Sequence, residues 1–207
     1  LKLKDYAGAL TEFRTYLTQN NSPKDAKAND ALLRSADCFF VLKRFEQALE
    51  AYRSSANHPD FGTDYAYFQL GMLQGLTGDQ AGKEQTMGRL AENFPTSPLN
   101  EEALYEKGLA AVRQDKPNQA LTTFDQLRMR FPKGFYFGKS LLQSGLVHRN
   151  NGQSQEALGW FRRVVDEYPG TEEANLAMGY AKSIYTENGQ VEAWLQFVKE
   201  KGGNRYS

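Results

Sequence analysis

Isoleucine is almost missing from this chain: Ile184 is the only one, and the valines are scattered. Strands draw on β-branched residues, so a sheet has little to be built from. The bulk is Ala, Leu, Glu, Gln, Lys and Arg, which lose little side-chain freedom in a helix, and the predicted class is all-α. One cysteine, Cys38, excludes an intramolecular disulfide and leaves the redox compartment open. The two histidines, His58 and His148, lie far from it and give no zinc-ligand spacing; no metal and no cofactor is expected. An excess of one charge sign is lacking too, with 25 Lys and Arg against 25 Asp and Glu. A nucleic-acid platform is normally basic, so nucleic acid is not an expected partner. No apolar run is long enough for a helical membrane span. The first residues carry Lys2, Lys4, Asp5, Glu12 and Arg14 and do not read as a signal peptide. The chain starts partway through a repeat, so a preceding segment is expected.

What is present is a period. Pro95, Pro132 and Pro169 stand 37 residues apart, and so do Gly71, Gly108 and Gly145. Lys83, Ala120, Ala157 and Trp194 share the step, as do Met87, Phe124 and Phe161. A fixed period of this length marks stacked helical hairpins. The clearest unit runs from about Gly138 to Pro169. Leu141, Gly145 and His148 form a first-helix stripe. Asn150-Asn151-Gly152 breaks it, with glycine suited to the left-handed cap. Ser154 opens the second helix and Glu156 favours its positive end. Ala157, Phe161 and Val164 form the inner stripe, and Pro169 ends the unit. Pro117 opens the equivalent helix one unit earlier, where its missing N–H costs least. Weaker copies extend both ways. Leu32, Ala36, Phe39, Ala48, Leu49, Tyr52 and Pro59 form an upstream unit. Tyr6, Ala9, Leu10, Phe13 and Pro23 read as a second helix without its first. Glu173–Glu187 and Val191–Lys199 form the last pair, with Trp194 where alanine is expected.

The residues Tyr67, Leu70 and Gly71, then Gly108, Ala120, Phe124 and Pro132, then Gly145, Ala157, Phe161 and Pro169 resemble the tetratricopeptide repeat, although the period here is 37 and not 34. The resemblance implies a right-handed solenoid of antiparallel helix pairs. It would have about five to six repeats in one array over residues 1–207. The small residue of the first helix and the alanine of the second let the helices approach, and the aromatic fills the gap between them. The lengthened turns Pro95-Thr96-Ser97-Pro98, Pro132-Lys133-Gly134-Phe135 and Pro169-Gly170-Thr171-Glu172 are similar to those of bacterial cell-envelope repeat proteins. These are of the Tol–Pal coordinator and outer-membrane-assembly lipoprotein type, which points toward the periplasm or cell envelope.

A repeat array offers a long surface and no deep reaction centre, so the expected function is a scaffold for protein or peptide. In the tetratricopeptide pattern the first helices line a concave face. Tyr65 falls at its second position, Leu33, Phe68, Tyr105 and Leu142 at its fifth, and Asp37, Met72, Leu109 and Leu146 at its ninth. Apolar residues there read either as a partner groove or as core covered by neighbouring helices. The carboxylate-clamp use of such faces needs Lys, Asn and Arg, and only Lys139 and Arg149 are basic. The aromatic turn Phe135-Tyr136-Phe137 is a second candidate contact, or a cap on the seam between units.

Other features resemble chemistry without its spacing. Gly134 to Ser140 and Gly78 to Lys83 imitate a phosphate loop with three residues between glycines where the motif has four, and no strand precedes either. Carboxylate pairs such as Glu101-Glu102 and Glu172-Glu173 suit helix first turns. The rival to the scaffold reading is an architectural or oligomerisation segment, with a homodimer through uncapped ends. Gly202-Gly203-Asn204 leads to Tyr206-Ser207 without a capping helix. RNA-binding helical repeats share the period and are disfavoured by the neutral charge.

Overall fold

The spacing of the sequence reappears in the positions at which helices begin. The computed structural model describes residues 5–20, 26–58 and 62–201. Pro23, Pro59 and the segment from Gly202 to Ser207 lie outside the described residues. Eleven helices occur among the described residues: α1 (Tyr6–Gln19), α2 (Ala26–Val41), α3 (Phe45–Ala56), α4 (Thr63–Leu76), α5 (Gln80–Asn93), α6 (Asn100–Arg113), α7 (Pro117–Arg130), α8 (Phe137–Asn150), α9 (Ser154–Glu167), α10 (Glu172–Glu187) and α11 (Val191–Glu200). No strand occurs among these residues. Helices α4, α6 and α8 start one period apart, and so do α5, α7, α9 and α11. Short turns make successive helices antiparallel neighbours.

Each hairpin turn is closed by one residue in the left-handed region. Gly78 (φ 95°), Gly152 (φ 73°) and Gly189 (φ 67°) fill it without strain. Lys43 (φ 59°) and Asp115 (φ 55°) hold the same place against steric preference. Pro117 is at the start of α7 as expected. Ser154 is the first residue of α9, but the capping position is Gln153, whose side chain makes no capping bond. Side-chain caps occur elsewhere. Asp5, Asp79 and Thr171 accept from the backbone N–H groups of Gly8, Gly82 and Ala174.

Contacts group the chain into two compact units, Leu1–Ala110 and Ala111–Ser207, and each is described by itself. In the first unit α2 packs on α1 and α3, and α4 on α3 and α5. One core there joins Leu33, Ala36, Ala48, Tyr52, Leu70 and Leu73. A second joins Phe68, Met87, Leu90 and Ala103, the last from α6. In the second unit α8 packs on α7 and α9, and α10 on α9 and α11. A single core runs from Leu141 through Phe161, Val164 and Ile184 to Phe197.

The period-bearing residues sit where the packing logic requires. Ala120, Phe124, Ala157 and Phe161 are fully buried. A methyl group added at Gly145 would stand 2.5 Å from Cε1 of Phe161, and one added at Gly71 would stand 2.8 Å from Cε of Met87. Both are inside the 3.5–4.0 Å at which carbon atoms rest. Lys83 breaks the alanine column and is nonetheless buried. Its stem lies over Gly75, where an added methyl would stand 2.5 Å from Lys83 Cδ. Its ammonium group pairs with Glu106. Trp194, the other exception, is half-buried and packs against Tyr185 and Phe197 at centroid distances of 6.2 and 6.0 Å.

Candidate functional site

The nine groove candidates divide by burial. At the fifth position Leu33, Phe68 and Leu142 are core residues, with 2%, 8% and 5% exposure. Leu33 packs within the α2–α4 core, Phe68 against Met87, Leu90 and Ala103, and Leu142 within the core of the second unit. Neighbouring helices of the same unit cover all three, so they offer no surface to a partner. Tyr105 stays half-buried. At the ninth position Asp37, Met72, Leu109 and Leu146 are all half-buried, as is Tyr65 at the second.

Asp37 and Tyr65 are brought together. Tyr52 Oη donates to Asp37 Oδ1 at 2.7 Å, and Tyr65 Oη donates to the same oxygen at 3.0 Å. Arg34 donates to Oδ2 at 3.3 Å. One carboxylate thus ties α2, α3 and α4. Burial first, then the hydrogen bond and charge of Asp37, raise the Tyr52 phenol well above its ordinary value. Burial first and the Asp37 charge second push Tyr65 up to about 12. The buried Cys38 thiol is raised by burial and by Asp37, which keeps it in its unreactive protonated form at neutral pH. Among the described residues no group of three or more His, Cys, Asp and Glu could hold a metal ion, and no helix is long and apolar enough to cross a membrane.

The second unit carries an arrangement that spacing alone did not announce. Arg128, buried on α7, donates to Ser140 Oγ and Ser144 Oγ of α8 at 3.1 Å each and pairs with Asp125. Its guanidinium lies 4.9 Å from the centre of the Trp160 ring. His148 stacks on the same tryptophan, 6.3 Å between centroids and 16° between planes, and its Nδ1 lies 2.9 Å from Gln153 Oε1. His148 is therefore a partly buried packing residue. A shallow open depression here is lined by His148, Glu156, Gly159, Trp160 and Arg163.

The residues of the aromatic turn differ in burial. Phe137 faces inward, packing on the core of its unit and on Tyr168 at 6.1 Å. Phe135 is 72% exposed. It meets Tyr136 edge-on at 5.1 Å, and the Lys139 ammonium lies 4.4 Å from the Phe135 ring centre and 5.3 Å from that of Tyr136.

Helical hairpins closed by one left-handed residue each, with a small residue facing a large one where Gly71 meets Met87 and Gly145 meets Phe161, define a helical-repeat protein. The chain belongs to the tetratricopeptide repeat family: the repeat matches at residues 1–60 and 105–172 in one form and at 65–97 in another. Solved structures share the fold at low identity. MamA from Desulfovibrio magneticus RS-1 is 13% identical with a TM-score of 0.66, over 86% of this chain and 94% of that one. A tetratricopeptide repeat protein from Parabacteroides merdae is 16% identical with a TM-score of 0.68, over 95% and 72%. YrrB, described as a repeat protein with an unusual peptide-binding site, is 18% identical with a TM-score of 0.63, over 91% and 90%. No curated protein matches this chain in sequence.

Proposed function

We propose that this chain is a protein-interaction scaffold, not an enzyme, and that it holds a peptide or helix against the first-helix face. The observation that carries the reading is the half-buried apolar set Met72, Tyr105 and Leu109 in the first unit, with Leu146 at the matching position of the second. Partly accessible apolar groups at repeated positions are what a peptide's side chains can cover. The fold likeness to YrrB, itself described as peptide-binding, is in keeping with this. Met72 packs on the core that holds Phe68, and Leu146 on the core that holds Leu142. That the repeats form one continuous array over residues 1–207 is part of the same proposal.

The test is a phage-displayed library of random short peptides selected on the wild-type chain and re-measured by calorimetry on Tyr105→Ala/Leu109→Ala. Selected peptides should lose most of their affinity while the thermal midpoint stays within a few degrees. Unchanged affinity would reject the face. A cell-envelope setting of the Tol–Pal coordinator or outer-membrane-assembly lipoprotein type is proposed from the lengthened inter-repeat turns, and fractionation of the source cells would test it.

A second reading, an oligomerisation segment, draws on α11, where Val191 and Leu195 are 51% and 61% exposed one helical turn apart. Light scattering across a concentration series separates the two. A dimer that dissociates on Leu195→Asp favours the second reading, and a monomer at all concentrations rejects it.

A further inference from the structure

From residue 126 to residue 155 this neutral chain carries five Lys and Arg and no Asp or Glu. Arg128 is consumed by Asp125, Ser140 and Ser144 inside the fold, and Arg149 reaches Ser183 and Glu187. The rest of the basic charge gathers at the α7–α8 turn. Arg130 and Lys133 are exposed there beside Met129 and Phe135, which are 75% and 72% exposed. The turn is closed by its own backbone, with Gly134 N–H donating to Phe131 O at 3.1 Å and Phe137 N–H to Gly134 O at 3.3 Å.

The repeat itself shows that the fold does not require these residues. One period earlier the same positions hold Glu92, Asn93, Thr96, Pro98 and Glu102. One period later they hold Asp166, Glu167, Gly170, Glu172 and Leu176. The sign of the turn is inverted in one repeat only, and an exposed phenylalanine is added to it. Lys139 is moreover set against local preference. It is the third residue of α8, at the positive end of the helix dipole, where the equivalent residue of α6 is Glu102. A cation there is disfavoured by the dipole. The helix dipole alone does not explain a lysine at this place. What Lys139 gains is a position over the Phe135 and Tyr136 rings.

We infer that the α7–α8 turn is a docking site for an acidic protein segment with an aromatic or aliphatic residue amid its carboxylates. The carboxylates would meet Arg130, Lys133 and Lys139, and the apolar residue would cover Phe135 and Met129. Charge complementarity selects this occupant, and width separates it from an anionic membrane. Phe137 packs on Tyr168, so the α9–α10 turn lies beside the basic one in the same unit, with Glu172 opening α10 and with Asp166 and Glu167 at the end of α9 paired to Lys201 and Arg163. A flat anionic surface would also meet Glu172 on the neighbouring turn, whereas a narrow peptide engages one turn alone. The site does not rest on the first-helix face proposed above, and Tyr105→Ala/Leu109→Ala leaves it intact.

The test selects random displayed peptides on the wild-type chain, sets aside those lost on Tyr105→Ala/Leu109→Ala, and measures the remaining binders on Lys133→Glu/Lys139→Glu and on Phe135→Ser. Selected sequences should be rich in Asp and Glu around an apolar residue. Each variant should weaken them about tenfold, as expected for exposed charge pairs around one aromatic anchor. Lys139→Glu alone should melt close to wild type, because the restored dipole preference offsets the lost cation–π contact; this separates lost binding from lost folding. Peptides without acidic bias, or affinity unchanged in both variants, would overturn the inference. Two further results would do so: variant-sensitive binding to phosphatidylcholine–phosphatidylserine vesicles without peptide binding, or a dimer that the variants dissolve.

Discussion

Replacing Gly145 by alanine probes the contact on which the helical hairpin depends. Two terms of opposite sign compete. Alanine is better than glycine inside a helix by about 0.8–1.0 kcal/mol. The new methyl would stand 2.5 Å from Cε1 and 2.8 Å from Cδ1 of Phe161, so ring or helix must give way by about 1 Å to reach ordinary contact. Phe161 is fully buried among Leu141, Ala157, Val164 and Ala177 and has nowhere to go. Overpacking of this kind costs about 1–3 kcal/mol, so Gly145→Ala should range from neutral to about 2 kcal/mol less stable. The propensity term can be measured separately. Gly159 and Gly179 sit inside α9 and α10 with nothing within 4 Å of an added methyl, and alanine at either should raise stability by about 0.8–1.0 kcal/mol. Gly71 provides a second contrast. Its neighbour is the Cε end of Met87 at 2.8 Å, and a flexible thioether can swing aside, so Gly71→Ala should fall between the other two classes. Urea unfolding followed by circular dichroism, at unchanged m-value, reads all four. Gly145→Ala as stable as Gly179→Ala would refute the packing argument.

The remaining predictions address the turns, the buried ion pair and alkaline pH. Asp115→Gly and Lys43→Gly should each stabilise by up to about 1 kcal/mol, since glycine adopts the left-handed conformation without Cβ strain; a drop in the thermal midpoint of both would count against this. Lys83→Met alone should destabilise by about 3 kcal/mol by stranding Glu106, whereas Lys83→Met/Glu106→Leu should recover most of the loss. Chemical denaturation of the single and double variants checks it, and additive losses would contradict it. Tyr52 and Tyr65 have folded-state values raised above the ordinary value near 10. The neutral phenols are therefore favoured by folding; their stabilisation is complete below about pH 10 and falls as pH rises above it, through about 12 for Tyr65 and further still for Tyr52. Urea midpoints should fall more steeply over that window for wild type than for Tyr52→Phe/Tyr65→Phe, and parallel curves would disprove the linkage.

The helical organisation was legible because its punctuation is local. Pro132, Gly152 and Pro169 act on their own backbone, and Gly145 and Phe161 recur in step, so the helix starts follow from spacing alone. The two exceptions in the alanine column were visible as exceptions, but not what they do. Lys83 is accommodated by Gly75 and paired by Glu106, neither of which belongs to its column. The face was harder to read, because the fifth and ninth positions are equally apolar in sequence. Leu33, Phe68 and Leu142 are covered by adjacent helices, while Met72, Leu109 and Leu146 are only half covered, a difference set by helix approach. Trp160 gave no signal at all, since its partners Arg128 and His148 come from two other helices.

The most direct measurement is one peptide selection read on three proteins: wild type, Tyr105→Ala/Leu109→Ala, and Lys133→Glu/Lys139→Glu. Two separable sets of binders are expected, an apolar set lost only on the first variant and an acidic set lost only on the second. Peptides that bind all three proteins equally would contradict this.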